Sequence, residues 1–486
     1  MKNLIGIILV LITFWACETE PSDTNEIPKE YSKAGYTEAM HKVFGGAGNN
    51  DDELVSGAVV DDSGNVYFSL NTNKDVIIGK IDAGGSLGWS KKWDGTYDDE
   101  SPDSGGNAET GGTANSISMD ASGNIYAVLS SSDVSQNNIY SAIILKINPS
   151  DGSTAWAKQW KPEWPTGSVI ARMDARASGV DATGDYVYVT GSTANGDVVL
   201  LAINKGDGSI FYQRTLDIVP GTADKGHVLR KDNNGNLFIC AISGSSAHLV
   251  KISSANTANP AVAWVKKVDM GVGSKFNSID IDNNELYLSC DIRGVTTYFN
   301  VLKLSNDGAI QWGKTYPGND NDRNNTHVVK VVGSSVYIGG RTAQKGLDNQ
   351  MGDGLLVKLD KSTGALQWHG YLFSGLEDGQ SAEHRIKGIH AKGSNVYIVG
   401  QVYTGNANSG HFTGDWVTKE ATLQDYAPTF TDVTALNLST PSTGEIRDAT
   451  GTYTDAGSNY VLQDAVSKTQ TSAPDGDLFY VKMSLN

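Results

Sequence analysis

Residues 54–93 read LVSGAVVDDSGNVYFSLNTNKDVIIGKIDAGGSLGWSKKW, and this stretch decides the fold. It holds short apolar runs parted by Gly, Asn and Asp, the pattern of strands joined by tight turns. Asp61-Asp-Ser-Gly-Asn65 reads as a hairpin turn, because Gly and Asn accept the positive φ that tight hairpins demand. A strand marked by Tyr67 follows it, and a strand carrying Trp89 ends the unit.

The pattern recurs along the chain. The Tyr- or Phe-marked strand returns at Val66-Tyr67, Ile125-Tyr126, Val187-Tyr188, Leu237-Phe238, Leu286-Tyr287, Val336-Tyr337 and Val396-Tyr397, with a weaker copy at Tyr460-Val461. The spacings are 59, 62, 50, 49, 50, 60 and 64 residues. Four strands with turns take about 40–50 residues, so each period is one propeller blade plus loop. The closing strand repeats as SLGWSKKW at 86–93, STAWAKQW at 153–160, AVAWVKKV at 261–268, AIQWGKTY at 309–316 and ALQWHGYL at 365–372, with Tyr212 replacing Trp in SIFYQRTL. Each Trp reads as a large apolar anchor between blades.

The ends are complementary. TEAMHKVF at 37–44 fits the closing-strand pattern, with Met40 in the Trp position, and no first three strands precede it. The last copy offers Gly451–Asp455, Tyr460–Val466 and Leu478–Met483 and then stops. The expectation is an all-β chain forming a single β-propeller over 36–486. It has eight four-stranded antiparallel blades, or seven if Asp415–Leu438 is an insertion. The N-terminal strand completes the last blade, so the ring has no open edge.

Phe44-Gly-Gly-Ala-Gly-Asn-Asn-Asp-Asp-Glu53, Gly64-Asn-Val-Tyr67 and Asp353-Gly-Leu-Leu-Val-Lys-Leu-Asp360 resemble the bacterial SBBP family of β-propeller repeats. That resemblance implies seven blades and says almost nothing about chemistry. The Gly-x-x-x-Trp closing strand is also similar to that of quinoprotein dehydrogenase propellers.

The first residues set an address. Met-Lys-Asn precedes an apolar run from Leu4 to Trp15, too short to span a bilayer as a helix, and this is a secretory leader pattern. Phe14-Trp15-Ala16-Cys17 resembles the lipobox of bacterial lipoproteins. That implies a signal peptide over 1–16 and an acylated Cys17, a membrane partner through the lipid anchor. The alternative is an ordinary leader that contains a Cys. Residues 17–35 are acidic and small with two prolines after Cys17, a flexible tether. Glu18 and Glu20 resemble a surface-export signal of Gram-negative lipoproteins. The expected location is the bacterial cell envelope, at the outer membrane and exposed at the surface. Cys240 and Cys290 lie one position out of register in neighbouring repeats and read as buried thiols rather than a disulfide.

The formal net charge of −17 argues against nucleic acid as a partner. Counting five residues back from each inner-strand turn gives Ser56, Asn115, Arg176, His227, Asn277, His327, Lys387 and Thr450. All are polar, and they are expected to form a ligand-binding ring at one channel mouth, taking a glycan or a peptide loop. Wet strand ends are the plainer account of the same residues. Acidic stretches at Asn49–Glu53, Tyr97–Glu100, Asn319–Asp322 and Glu377–Asp378 offer carboxylates for Ca²⁺, but none has EF-hand spacing, and solvated turns fit them better. No cofactor is expected. There is no His-Glu-x-x-His motif and no Gly-x-Ser-x-Gly elbow. The reading is a non-catalytic binding or scaffold lipoprotein with a protein or glycan partner, and Trp164 in the long segment after Trp160 fits a partner-binding rim. The alternative is an envelope enzyme acting on carbohydrate or alcohol substrates.

Overall fold

The computed structural model describes residues 32–33, 37–46, 54–71, 76–95, 116–133, 139–161, 176–193, 196–270, 273–292, 298–316, 325–342, 353–373, 382–404, 415–418, 423–433, 437–439, 445–449, 451–456, 460–464 and 475–484. These fold as an all-β propeller of seven antiparallel sheets. In chain order the inner strands of the blades are Leu54–Val60, Ile117–Met119, Arg176–Asp181, Asp224–Lys231, Lys275–Asp282, Asn325–Val332 and Ala382–Lys392. Blades one to six each continue outward through three further strands in chain order.

Local chemistry explains why each hairpin turns where it does. The Asp61 carboxylate accepts the backbone N–H of Ser63 at 2.8 Å and of Asn65 at 2.9 Å, an Asx turn. The Tyr67 hydroxyl donates to the same carboxylate at 3.1 Å. Asp120 repeats the arrangement with Ser122, Asn124 and Tyr126. The recurrent Tyr therefore ties the second strand to the turn that begins it.

Blade-to-blade packing uses the recurrent Trp. The Trp89 indole donates to Pro149 O in blade two at 3.2 Å, Trp156 to Lys205 O in blade three at 3.1 Å, and Trp312 to Lys361 O in blade six at 3.2 Å. The Trp89 ring lies over Gly152, where φ is 72° and a Cβ would stand 2.5 Å from the ring. Only glycine meets both conditions. Met40 packs against Gly85 in the same way, in the position read as a Trp equivalent. Seven apolar clusters fill the spaces between neighbouring blades. Cys240 and Cys290 share one of them as free, buried thiols.

The expectation of eight blades is corrected to seven. Blade seven has the order Ala382–Lys392, Asn395–Thr404, Asp475–Ser484, Thr37–Gly46 and Tyr460–Asp464. Its third strand lies near the C-terminus and its fourth near the N-terminus, with Val43 opposite Phe479. The Tyr460 copy is thus a fifth, outermost strand rather than the second strand of another blade.

The described residues of Asp415–Leu438, expected as blade strands or an insertion, form a belt with the first two strands expected of an eighth blade. From Asp415 onward the chain visits the outer edges in reverse order. Asp415–Thr418 pairs with blade six, Gln424–Asp425 with five, Thr429–Val433 with four, Ser439 with three, Glu445–Asp448 with two, Gly451–Asp455 with one and Tyr460–Asp464 with seven. The lysine two residues after each Trp holds it. Lys91 meets Asp455 at 2.5 Å, Lys158 meets Asp448 at 2.7 Å, Lys266 meets Asp432 at 2.7 Å and Lys314 meets Asp425 at 2.5 Å. Lys42 pairs in register with Asp464. Where the outer strand carries Gly370 instead, the belt has Thr418 at the facing position.

Candidate ligand site at the channel mouth

A β-bulge near the start of the inner strand sets the geometry of the channel. The ladder between first and second strands skips one residue between Val55 and Gly57, Gly226 and Val228, Phe276 and Ser278, Thr326 and Val328, and Ile386 and Gly388. The skipped residues are Ser56, His227, Asn277, His327 and Lys387. A bulged residue leaves the regular pairing and re-aims its side chain, and bulges cluster at functional rims. Five of the residues read from the sequence as a ring thus share one structural position.

The others do not. In blade three the ladder shifts between Ala177 and Gly179, so the bulge residue is Ser178, and Arg176 lies two positions upstream opposite Ser192. Gly451–Asp455 is a belt strand on blade one, and Thr450 lies outside the described residues. Asn115 also lies outside them, as do Cys17, Trp164 and the acidic stretches at 49–53, 97–100, 319–322 and 377–378.

Two bulge residues make hydrogen bonds to the next blade. Asn277 Nδ2 donates to Thr326 O of the next blade at 2.5 Å, and Ser116 N donates to Ser56 O between blades one and two at 3.4 Å. Burial lowers the His227 pKa to about 3, helped by the positive charges of Lys275, Lys225 and Lys387. Lys387 belongs to blade seven and His227 to blade four, three steps round the ring. A seven-membered ring allows no greater separation, so these two groups sense each other across the channel. His327 is held well below the usual histidine range, first by burial and then by Lys387, Arg341, Arg385 and Lys275. Its Nε2 is buried without a hydrogen-bond partner.

A tier of basic residues lies two positions upstream of the bulges, and Arg176 is its only member among the residues read from the sequence. Lys225 and Lys275 stand there in blades four and five and Arg385 in blade seven. In blade six the position is Asn325, whose ladder partner is Arg341, with Arg341 Nε donating to Asn325 Oδ1 at 3.2 Å. A period-two reading of the inner strands finds the first three. Arg341 is visible only once the strand pairing is known.

Two buried carboxylates, Asp224 and Asp291, lie at this level. Asp291, opposite Lys275, accepts Thr326 N at 2.8 Å and Asn325 Nδ2 at 3.1 Å. Asp224 accepts the N–H of Ile218 at 2.5 Å. The other end of the channel is different: His390 Nε2 contacts Ala58 O at 2.9 Å, and Lys330 pairs with Asp280 at 3.1 Å. At that end Lys330 is ion-paired within the ring.

No protein-family model matches the chain, and no curated protein does. Among solved structures it is similar to quinohemoprotein alcohol dehydrogenase from Comamonas testosteroni, with 10% identity over 93% of this chain and 76% of that one, at a TM-score of 0.41. A protein from Lactobacillus plantarum gives 11% identity over 80% and 99%, at 0.42. Saccharomyces cerevisiae Sqt1 gives 8% over 81% and 99%, at 0.41. Scores this low carry no argument from those proteins to this one.

Proposed function

We propose that this protein is a non-catalytic binding propeller of the bacterial cell envelope, of the SBBP type, lipid-anchored through Cys17 and exposed at the outer-membrane surface. It engages a polar ligand, part of a glycan or a protein partner, at the mouth where the bulges converge. The observation that carries this reading is the shared bulge position of Ser56, His227, Asn277, His327 and Lys387, which takes polar side chains out of the ladder at one end of the channel. A packing role alone favours apolar residues this close to an axis. The acidic segment after Cys17 serves as the tether between anchor and propeller.

One experiment tests both anchor and role. The tagged full chain and its Cys17→Ala variant are extracted in mild detergent, and what copurifies is identified by mass spectrometry. The wild type is expected in the membrane fraction with a stoichiometric envelope partner or bound glycan, and Cys17→Ala in the soluble fraction. A wild-type chain that emerges alone and turns over alcohols or carbohydrates replaces the binding reading with the enzyme one. A Cys17→Ala chain that stays in the membrane removes the lipid anchor.

A further inference from the structure

We propose that the seam between blades one and two, at Trp93, Tyr453 and Ala157, is a binding site for one small neutral carbonyl compound of the size of a primary amide. The site lies on the outer rim under the belt, apart from the channel mouth, and goes beyond the function proposed above without resting on it.

Two unspent hydrogen-bonding groups mark the place. Trp93 Nε1 and the Tyr453 hydroxyl are both buried without a hydrogen-bond partner. They stand together: Tyr453 of the belt lies directly opposite Trp93 of the outer strand Leu87–Gly95. Directly opposed residues send their side chains out of the same face of a sheet. Here that face looks toward blade two, into the cluster that also holds Ala157 from the outer strand of blade two and Ala449 from the belt beside it. Ala449 N donates to Ala157 O at 3.0 Å, which fixes the belt against that strand. Trp93 is 2% exposed. A donor buried this far without an acceptor is expensive, and most buried polar groups have a partner.

The next seam shows which group answers such a donor. Trp160 ends the repeat WAKQW in blade two as Trp93 ends WSKKW in blade one. Its Nε1 donates to Gln213 Oε1 of blade three at 2.9 Å. Gln213 follows Tyr212 just as Ala157 follows Trp156. Blade two therefore offers Trp93 a methyl where blade three offers Trp160 a carboxamide. The belt changes as well: Ile446 lies opposite Trp160, and Tyr453 lies opposite Trp93. The first seam has thus lost an acceptor and gained a donor relative to the second. Blade five follows the same rule as blade two, since the Tyr316 hydroxyl at this position meets Tyr371 of blade six.

What Trp93 lacks is the end of a glutamine side chain, and a free carboxamide supplies it. A carbonyl oxygen has two lone pairs, so it accepts from the indole N–H and the phenol O–H together. The short alkyl end then rests against Ala157 and Ala449. A neutral ligand suits a seam this buried, where a charged one would have to shed its water. Entry requires Gly451–Asp455 to lift from Leu87–Gly95, so occupancy holds that belt strand down.

Thermal unfolding of the purified full chain in rising propionamide tests the site. Ala157→Gln carries its own carboxamide there. It should melt higher than the wild type without ligand and should show only the general solvent effect of the amide. Measured against that variant, the wild-type melting temperature is expected to rise with propionamide and saturate. Tyr453→Phe, which removes a hydroxyl and keeps the ring, should weaken binding about fivefold, the worth of one neutral hydrogen bond. Ala157→Leu fills the same space without an acceptor and should not melt higher. A crystal soaked in propionamide should place the carbonyl oxygen within hydrogen-bond reach of Trp93 Nε1.

An equal response in the wild type and Tyr453→Phe overturns the proposal. So does a gain from Ala157→Leu as large as that from Ala157→Gln, which would make the seam a matter of packing alone. An ordered water at Trp93 that propionamide does not displace overturns it too. If Ala157→Gln fails to fold, the comparison of wild type with Tyr453→Phe decides. Each of these outcomes leaves the reading of the channel mouth untouched.

Discussion

His227 and His327 tie the channel to the protein's acid stability. Their folded pKa values lie below the ordinary 6.5, His227 at about 3. His390 falls to about 4. As pH drops through 6.5 the unfolded chain takes up these protons first, so stability falls with falling pH and levels off only near the folded values. Each histidine contributes at most about 1.4 kcal/mol per pH unit. His227 and His327 are half-buried as whole residues, which reduces that figure. Urea midpoints should drop between pH 6.5 and 4.5, above the range where Asp61 and Asp120, held low by hydrogen bonds that outweigh burial, begin to titrate. Replacing His227 and His327 with Gln should flatten that slope, and an unchanged slope would show the rings to be solvated. The sequence revealed these histidines because they recur at one offset from a turn. It misplaced the blade-three member for an equally physical reason. Asp181 pairs with Tyr188 as Val59 pairs with Tyr67, so it is a ladder residue two positions before the turn, and counting back from it lands on Arg176 rather than Ser178.

At the scale of elements, the belt explains a residue that the repeat left without a role. Lys91, Lys158, Lys266 and Lys314 share a position two residues after Trp, and each meets a belt aspartate. The belt gives the outer strands of all seven blades a partner, leaving none as an open edge. The aspartates are 71–90% exposed, so each pair is worth little by itself, about 0–1 kcal/mol. Their value is in register: a one-residue slip would place the lysines against other side chains. Replacing Asp425, Asp432, Asp448 and Asp455 together with Lys sets like charges opposite one another at four blades. Limited proteolysis should then cut within 415–464 much faster, while far-ultraviolet dichroism stays that of a folded propeller. Equal cutting rates would mean that backbone pairing alone holds the belt. This is also why the blade count could not be read from the sequence. Belt strands are short and mix exposed with half-buried residues, as at Thr429–Val433, and so look like faint copies of blade strands. Tyr460-Val461 carries the residues of a second strand but lies outside a fourth.

For the whole molecule, the decisive joint is blade seven, where Thr37–Gly46 lies between Asp475–Ser484 and Tyr460–Asp464. Strands from opposite ends of the chain share that sheet, and the question is how much of the fold's stability passes through them. Val43 and Phe44 are fully buried, Val43 in the cluster against blade six and Phe44 in the cluster against blade one. The strand thus contributes to the packing on both sides of its blade. Phe44 packs on Phe68 of blade one with ring centroids 5.0 Å apart, so its loss opens an interface between the last blade and the first. If the ring is one cooperative unit, Phe44→Ala should cost about 3–5 kcal/mol, the usual cost of emptying a core aromatic site. Phe238→Ala, in a blade built from continuous chain, should cost as much. Equal losses from urea unfolding would mean that the terminal strand carries the same load as any other and that the ring unfolds as a whole. A loss below about 1 kcal/mol at Phe44, against the full cost at Phe238, would mean that blade seven opens separately. In that case the stability of the other six blades would not depend on joining the two ends, and the belt would be the element holding the circle together.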